Sequence, residues 1–307
     1  MRWTLGTIAL LALIWTNGAA RAQEVGPLYK VGDTFTQEVM VTRKSVFRVA
    51  GLDVEKWAQY SITSSFTITK VEPDGSLVAE QTIQGGKLLD ADPDMKGPVT
   101  DALEKTKGVK FEVTVRSDGV VKEIKGLKDA VQIRQGPDVA VGQSLRLWSL
   151  LDSDAWKELD GLTFFQPEEV SPGAPPLKKW TRPTTHDWGA LGSWGGQTVY
   201  TKGGKQPGKP GLTRFEYRHD LKYKAPEAGA VSSLPLKIMK SDFKLQTAGG
   251  VIGFNTTARK VAAAEEAFRV RGTVLASLAG IEVQIDLEEQ QGFRVTMPGV
   301  GAKGAGK

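Results

Sequence analysis

The stretch TFTQEVMVTRKSVFRV, Thr34–Val49, decides the fold class, because apolar or β-branched side chains alternate with polar ones along it. Successive side chains of a β-strand point to opposite faces of the sheet, so a period of two predicts a strand with one buried and one wet face. QYSITSSFTITKV, Gln59–Val71, has the same pattern. We therefore expect long β-strands in this part of the chain.

Turn signals separate these strand-like segments. Pro73-Asp74-Gly75 and Asp118-Gly119 each stand between two alternating runs. Proline presets φ and glycine accepts a positive φ, so both sequences predict hairpin turns. Similar segments continue to IEVQIDLEEQQGFRV, residues 281–295. The pattern predicts a mainly β protein whose long antiparallel strands form curled sheets or an open barrel.

Two segments bear on the helix content. SDAWKELDG, Ser153–Gly161, begins with an N-cap residue and ends at a glycine, which predicts a short helix in the middle of the chain. KVAAAEEAF, Lys260–Phe268, is ambiguous, since alanine and glutamate favour a helix. We interpret it as a strand that continues through Val270. One or two short helices are therefore expected.

The beginning of the chain has the features of a signal peptide. Leu5–Trp15 is apolar but too short to span a bilayer, and Ala20-Arg21-Ala22 is a small-x-small cleavage site. We expect export to the periplasm or the cell exterior, with no transmembrane helix after cleavage. The predicted regions are 1–22, signal peptide; 23–144, N-terminal β half; 145–196, Trp/Gly/Pro-rich crossover; 197–298, C-terminal β half; and 299–307, flexible tail.

Composition narrows the partners. The chain has no cysteine, so neither a disulfide nor a lipid-modified N-terminal cysteine can form. It carries 40 basic and 35 acidic residues, and loss of Arg2 and Arg21 with the signal peptide leaves 38 basic ones. A small, dispersed positive charge does not predict a nucleic-acid partner. No cofactor is indicated by any motif.

Tryptophan is concentrated in the predicted crossover, which holds five of the eight residues: Trp148, Trp156, Trp180, Trp188 and Trp194. Buried rings that fill the space between two β-layers are one interpretation. The other is an exposed platform on which indole faces stack on a sugar while polar neighbours bind its hydroxyls. The ligand-binding residues would then be Trp180, His186, Asp187, Trp188 and Trp194.

An acidic segment, LLDADPDMKGPVTD, raises the hypothesis of a calcium site. Asp90, Asp92 and Asp94 occupy positions 1, 3 and 5 of a calcium loop, and Asp101 occupies position 12. Met95 stands where the sharp turn of such a loop favours glycine. An exposed acidic loop is the alternative.

Catalytic and nucleotide-binding motifs are incomplete. His186-Asp187 can act as an acid/base pair, but the sequence contains no G-x-S-x-G nucleophile elbow. With His186 and His219 as the only histidines and no cysteine, no structural zinc motif is present. The glycines at 299, 301 and 304 match a dinucleotide-binding spacing, but no helix-forming sequence follows them. They predict a flexible tail.

Three sequences carry a resemblance to a known family: YKVGDTF at 29–35, SDGVVKEIKGL at 117–127 and HDWGALGSW at 186–194. In these and in its layout, the chain resembles a family of secreted bacterial, planctomycete-type proteins of unknown function. The resemblance implies an extracytoplasmic β-rich fold and transfers no catalytic residue.

These observations lead to one functional expectation and two alternatives. We expect an exported, non-enzymatic binding or envelope-associated protein whose partner is a glycan, a lipid or another envelope component. The first alternative is a periplasmic carrier that holds a lipid or other hydrophobic ligand in a groove of the curled sheet. The second is a hydrolase that uses His186.

Overall fold

The computed structural model describes residues 28–49, 51–127, 153–169, 175–187, 191–226, 237–278 and 280–300. The predicted signal peptide and most of the predicted tail lie outside these residues. In chain order the elements are β1 Thr34–Val49, β2 Leu52–Val71, β3 Leu77–Ala91, α1 Pro93–Thr106, β4 Lys110–Val115, β5 Val121–Lys125, α2 Ser153–Thr163, β6 Lys179–Asp187, β7 Ser193–Gln206, β8 Lys209–Lys224, β9 Lys237–Asn255, β10 Lys260–Leu278 and β11 Ile281–Thr296.

All eleven strands form one antiparallel sheet in the order β5-β4-β3-β2-β1-β11-β10-β9-β8-β7-β6. The first and last strands of the chain meet at the centre of the sheet, where β1 pairs with β11 from Glu38↔Thr296 to Val49↔Ile285. β5 and β6 are the two edges, so the sheet is open rather than closed into a barrel. The predicted mainly β class is confirmed.

The alternation in the sequence corresponds to the two faces of the sheet. In β1, Val39 and Val41 are buried, while the intervening Met40 is only partly buried. The ambiguous segment Lys260–Phe268 lies in β10, as predicted, because β9 and β11 pair with it on both sides. Pairing with two neighbours outweighs the modest helix preference of alanine and glutamate.

The sheet curls around α2. The Trp156 ring of α2 is 5.4 Å from the Phe111 ring of β4, while Glu158 of the same helix is 2.7 Å from His186 of β6. β4 and β6 are nine positions apart in the sheet order, which is about 43 Å in a flat sheet. Trp156 and Glu158 lie within one helical turn of each other, so the sheet must bend until both its ends reach α2. α2 therefore lies on the concave face.

Buried polar contacts hold α2 in the sheet. When the Gln81 amide nitrogen faces Asp160, it donates to both carboxylate oxygens at 2.9 and 3.1 Å. Burial raises the pKa of Asp160 well above its usual 3.8, and the hydrogen bond from Gln81 lowers it only in part. Gln37 of β1 donates to the Thr163 hydroxyl at 2.5 Å. These contacts set the position of α2, since a shift would leave buried polar groups without partners.

The structure has a helix where the sequence predicted an acidic loop. The acidic segment expected to be a loop forms helix α1, Pro93–Thr106, with Asp92 as its N-cap and proline in its first turn. Asp92-Pro93 is a helix-start signal, whereas the calcium hypothesis assigned the same aspartates to a loop. The predicted crossover 145–196 contains β6, and its end falls inside β7, Ser193–Gln206. None of the helices in the described part of the chain has the length and apolar character to span a membrane.

Candidate functional site

Side chains on the concave face change along the strands from apolar to polar and back to apolar. In β8 the successive side chains on this face are Tyr217, His219 and Leu221, and in β10 the polar Glu266 is followed on this face by the apolar Val270. Residues two apart on a strand share a face. The polar positions form a band across the sheet that we call the polar belt. It comprises Arg43, Ser45, Thr184, His186, Thr198, His219, Glu266 and Glu289, with Glu158 of α2.

Apolar clusters lie on both sides of the polar belt. The main core surrounds α2 and includes Trp156, Leu159 and Leu162. The distal cluster is separate from it and consists of Leu191, Trp194, Phe243, Val270, Val274, Ala276 and Leu287. Seven partly exposed apolar residues pack around the distal cluster: Phe47, Leu221, Tyr223, Ile238, Leu245, Phe268 and Ile285. The concave face therefore carries a second buried apolar cluster with a partly exposed rim, apart from the core that α2 fills.

A line of hydrogen bonds runs through His219. Thr184 Oγ1 and Thr198 Oγ1 are 2.5 Å apart, and Thr198 Oγ1 is 2.7 Å from His219 Nδ1. His219 Nε2 is 3.4 Å from Glu266 Oε2, to which the Tyr217 hydroxyl donates at 2.8 Å. The line connects four strands, β6, β7, β8 and β10.

The electrostatics around His219 and Glu266 favour the charged form of both side chains. Burial disfavours charged His219, but the hydrogen bond to Glu266 and the charges of Glu266 and Glu158 outweigh it and raise the pKa of His219 above 6.5. Burial likewise disfavours charged Glu266, but the hydrogen bond and charge of His219 and the hydrogen bond from Tyr217 lower its pKa below 4.5. Burial, then the charge of Glu266, keeps the pKa of Tyr217 well above its usual 10.0. Tyr217 is therefore a neutral donor.

His186 links the belt to the helix. Its Nδ1 lies 2.7 Å from Glu158 Oε1, and the His186 side chain is 12% exposed. The contact joins the last strand of the sheet order to α2. Since Glu158 also acts electrostatically on His219, both histidines of the chain belong to one charged network.

The belt continues at the centre of the sheet. Ser45 of β1 is paired with Glu289 of β11, and Arg43 lies two residues away with Gln291 opposite. Arg43, Ser45 and Glu289 are all buried. The pKa of Tyr60 is raised by burial and lowered in part by the charge of Arg43. Buried groups of both signs thus occupy neighbouring strands.

The ladder between β8 and β9 ends early, beside the distal cluster. Pairing runs from Leu212↔Asn255 to Arg218↔Gly249, although β8 continues to Lys224 and β9 begins at Lys237. Beyond the last pair, side chains connect the strands: the Tyr223 hydroxyl is 2.6 Å from Ser241 Oγ, and its ring is 5.2 Å from the Phe243 ring. We call the unpaired segments, 219–224 and 237–248, the β8–β9 gap.

Thr198, His219 and Glu266 place a hydroxyl, an imidazole and a carboxylate in one line, as nucleophilic enzymes do. Thr198, however, is 1% exposed. Its oxygen lies within 2.7 Å of both Thr184 and His219. The hydroxyl therefore has no accessible side from which a substrate can approach, and the line is better suited to holding strands together than to bond cleavage.

Both described tryptophans of the predicted ligand platform are buried. The indoles of Trp180 and Trp194 are 5% and 2% exposed, so neither offers a stacking face to a sugar in solvent. Trp180 is stacked on Tyr200 with ring centres 5.2 Å apart, and Trp194 belongs to the distal cluster. His186 lies in the polar belt. Trp188 and Trp148 lie outside the described residues, as does the side chain of Asp187.

The predicted calcium residues have protein partners. The Asp92 carboxylate accepts from the Trp57 N–H at 2.6 Å, Asp94 pairs with Lys56, and Asp90 is 3.9 Å from Lys96. Asp101 is exposed on α1. In the part of the chain that the structure describes, no group of three or more histidine or acidic residues has a metal-binding arrangement.

Sequence reasoning missed Glu158, His219 and Glu266. Glu266 does carry a signal, because Ala264, Glu266 and Val270 occupy inward positions of one alternating run. A charged residue at an inward strand position indicates a buried partner. The partner, His219, is 47 residues away and is recognisable only once β8 and β10 are known to flank β9.

Gly250 makes room for this network, which yields a first prediction. A Cβ at Gly250 would overlap the Glu265 carbonyl oxygen and lie 2.8 Å from the Tyr217 hydroxyl. Gly250→Ala should lower the free energy of unfolding by about 1–3 kcal/mol in urea denaturation. Gly195→Ala is the matched control, since no atom lies within 4 Å of its added Cβ, and it should change stability by less than about 0.5 kcal/mol. Equal effects would contradict the close packing at Gly250.

Comparisons with known proteins add little to this geometry. No protein-family model and no curated protein matches the chain. Among solved structures, that of a DUF1329 family protein from Desulfovibrio piger matches at 7% identity, covers 85% of this chain and 86% of that chain, and has a TM-score of 0.15. Nothing in the comparisons supports a planctomycete origin. At this TM-score the likeness establishes neither a shared fold nor a shared function.

Proposed function

We propose that the protein is an exported, non-enzymatic binding protein that holds an apolar ligand on the partly exposed rim of the distal cluster, on its concave face. The observation that carries the proposal is the presence of two separate apolar clusters on one face, of which only the main core contains the buried side chains of α2. A curled sheet with an apolar inner surface is a common form of small-molecule site.

The rim of the distal cluster supports this choice. Phe47, Leu245, Phe268 and Ile285 are only partly buried although they face the concave side. Aromatic and aliphatic groups left partly exposed on an inner face gain free energy when a ligand covers them, at about 25 cal/mol per Å² of apolar area. The break in the ladder between β8 and β9 lies beside the same cluster.

Export is the other half of the proposal, and it rests on the sequence. Leu5–Trp15 and the Ala20-Arg21-Ala22 site predict secretion. Fractionation of cells that express the full chain, with N-terminal sequencing of the product, tests this. A mature protein that begins at Gln23 in the periplasm or medium is expected, and an uncut cytoplasmic chain would overturn it.

The ligand half is tested by purifying the protein under native conditions and analysing organic extracts by mass spectrometry. We expect an apolar molecule to co-purify in stoichiometric amount. The protein should then be delipidated, and its affinity for a fluorescent fatty-acid analogue should be measured. A protein that neither carries an apolar molecule nor binds the analogue would contradict the proposal.

A second prediction localises the ligand. Leu245→Ala, at the rim of the distal cluster, should weaken binding of the analogue about threefold to tenfold, because it removes apolar contact area. Leu89→Ala is the matched control, since Leu89 is 44% exposed in β3, and it should bind as the wild type does. If both variants bind alike, the ligand does not lie on the distal cluster.

A further inference from the structure

The β8–β9 gap is a break in the main-chain ladder between two strands that run on past it. Gly249, with φ 146°, is the last residue of β9 that pairs with β8. A side chain at Gly249 would meet the main chain of Tyr217 on β8, so glycine permits the close approach of the two strands there. From Gly249 outward only side chains such as Tyr223 and Ser241 bridge the strands. At this break no main-chain ladder separates the concave face from the convex face.

Cations line both sides of the gap on the convex face. They lie at alternate positions to the Tyr223, Ser241 and Phe243 side chains that meet on the concave face. All are exposed, and together they comprise Arg218, Lys222 and Lys224 on β8, and Lys240 and Lys244 on β9. Asp220 and Asp242 are the acidic residues in the same two segments. We call these five cations the basic rim.

The basic rim is only partly balanced by the two carboxylates beside it, Asp220 and Asp242. In the described ranges, none of its five residues takes part in an ion pair. By contrast, Arg269 on β10 is paired with Glu288 at 2.5 Å, and Arg294 on β11 with Glu265 at 2.9 Å. Like charges gathered on facing strands repel one another, and an anionic group placed between them removes that repulsion.

We propose that the ligand is an anionic amphiphile, with an alkyl chain on the partly exposed apolar residues around the distal cluster and a carboxylate or phosphate head held by the basic rim at the β8–β9 gap. This inference rests on the proposed function, because it assigns the head group of the molecule whose chain the distal cluster binds. Apolar surface, gap and cations follow one another from the concave to the convex face, which is the order of groups in an amphiphile. Lysine side chains reach such a head while their stems stay against apolar surface.

Isothermal titration calorimetry with four dodecyl probes tests the assignment: dodecanoate, dodecyl phosphate, dodecanol and dodecyltrimethylammonium. We expect both anions to bind at least about tenfold more tightly than the alcohol at low salt, and the advantage to fall as salt is raised. The preferred anion distinguishes a free carboxylate from a phosphate-bearing lipid. Lys240→Gln/Lys244→Gln should reduce anion affinity about fivefold to tenfold and leave dodecanol binding unchanged.

Lys87→Gln/Lys122→Gln is the matched control, because both lysines are exposed on strands remote from the gap in the sheet order. It should bind every probe as the wild type does. Equal binding of alcohol and anions, tighter binding of the cation, or an unchanged preference in the Lys240/Lys244 variant would overturn the anionic assignment and leave the proposed function standing. Failure of all four probes to bind would instead overturn the proposed function.

Discussion

Phe165→Ala is expected to lower the free energy of unfolding by about 3–5 kcal/mol, the range for removing a fully buried phenylalanine. The side chain is 1% exposed. It contacts the rings of Trp180, Tyr200, Phe215 and Phe254, at centre distances between 5.4 and 6.2 Å. These rings belong to four different strands, so a cavity here would weaken the attachment of the α2 segment to the β6–β9 part of the sheet.

Urea denaturation followed by circular dichroism measures this loss. Phe47→Ala is the control, since Phe47 is only partly buried at the rim of the distal cluster, and it should cost about 1–2 kcal/mol. Because Phe165 packs between the α2 segment and the curled sheet, its removal should cost more free energy of unfolding than the removal of Phe47. Equal losses for the two variants would show that Phe165 does not tie the α2 segment to these strands.

Glu266→Ala is expected to cost about 3–5 kcal/mol, because it breaks a buried pair and leaves both His219 and the Tyr217 hydroxyl without their shared partner. His219→Ala should cost a similar amount, because it leaves the buried Glu266 carboxylate without its cation. The double variant should lose less than the sum of the two, since it removes both charges together. Arg269→Ala with Glu288→Ala is the matched cycle, because this pair joins β10 to β11 with Arg269 half exposed. Its coupling should not exceed about 1 kcal/mol.

The pH dependence of stability provides an independent measurement of the same pair. His219 has a folded pKa raised above 6.5, so its contribution is complete below that pH and is lost as the pH rises through the folded pKa. Glu266 has a folded pKa below 4.5, so its contribution is present above that pH and is lost as the pH falls through the folded pKa. The wild type should therefore exceed His219→Gln in stability most at about pH 5.5, with a difference that shrinks at alkaline pH. A difference that grows with pH, or additive losses in the double variant, would contradict the ion pair.

The strands were predictable from the sequence because their signal is local. The alternation in Thr34–Val49 is the burial pattern of β1, and Pro73-Asp74-Gly75 lies between β2 and β3 as predicted. The helix predicted over Ser153–Gly161 is α2, although it continues through Gly161 to Thr163 and does not end at the glycine. Helix α1 was missed although Asp92-Pro93 marks its start, because the same aspartates also fit a cation-binding spacing. A segment with two consistent local interpretations is decided by packing, here by Val99 and Leu103 against the sheet.

The candidate site was less predictable for a physical reason. His186 was singled out, but its partner Glu158 is on α2, 28 residues away. The tryptophans were recognised as a concentration of rings, yet their sequence positions do not reveal which face of a strand is concave. Trp194 of β7 is paired with His186 of β6, whereas Trp180 is paired with Tyr200. The two rings therefore lie at opposite ends of the β6–β7 pair and belong to different clusters. Only the pairing of strands assigns each ring to the main core or the distal cluster.

By itself, the sequence determined the strand content, the positions of most turns and the helix that became α2, because alternation and capping act over a few residues. It also determined that no disulfide contributes, since cysteine is absent. Tertiary structure alone decided the strand order, the curl around α2, the polar belt and the β8–β9 gap. These features depend on contacts between residues tens to hundreds of positions apart, such as Gln37 with Thr163 at a separation of 126 residues, and such contacts leave no periodic trace along the chain.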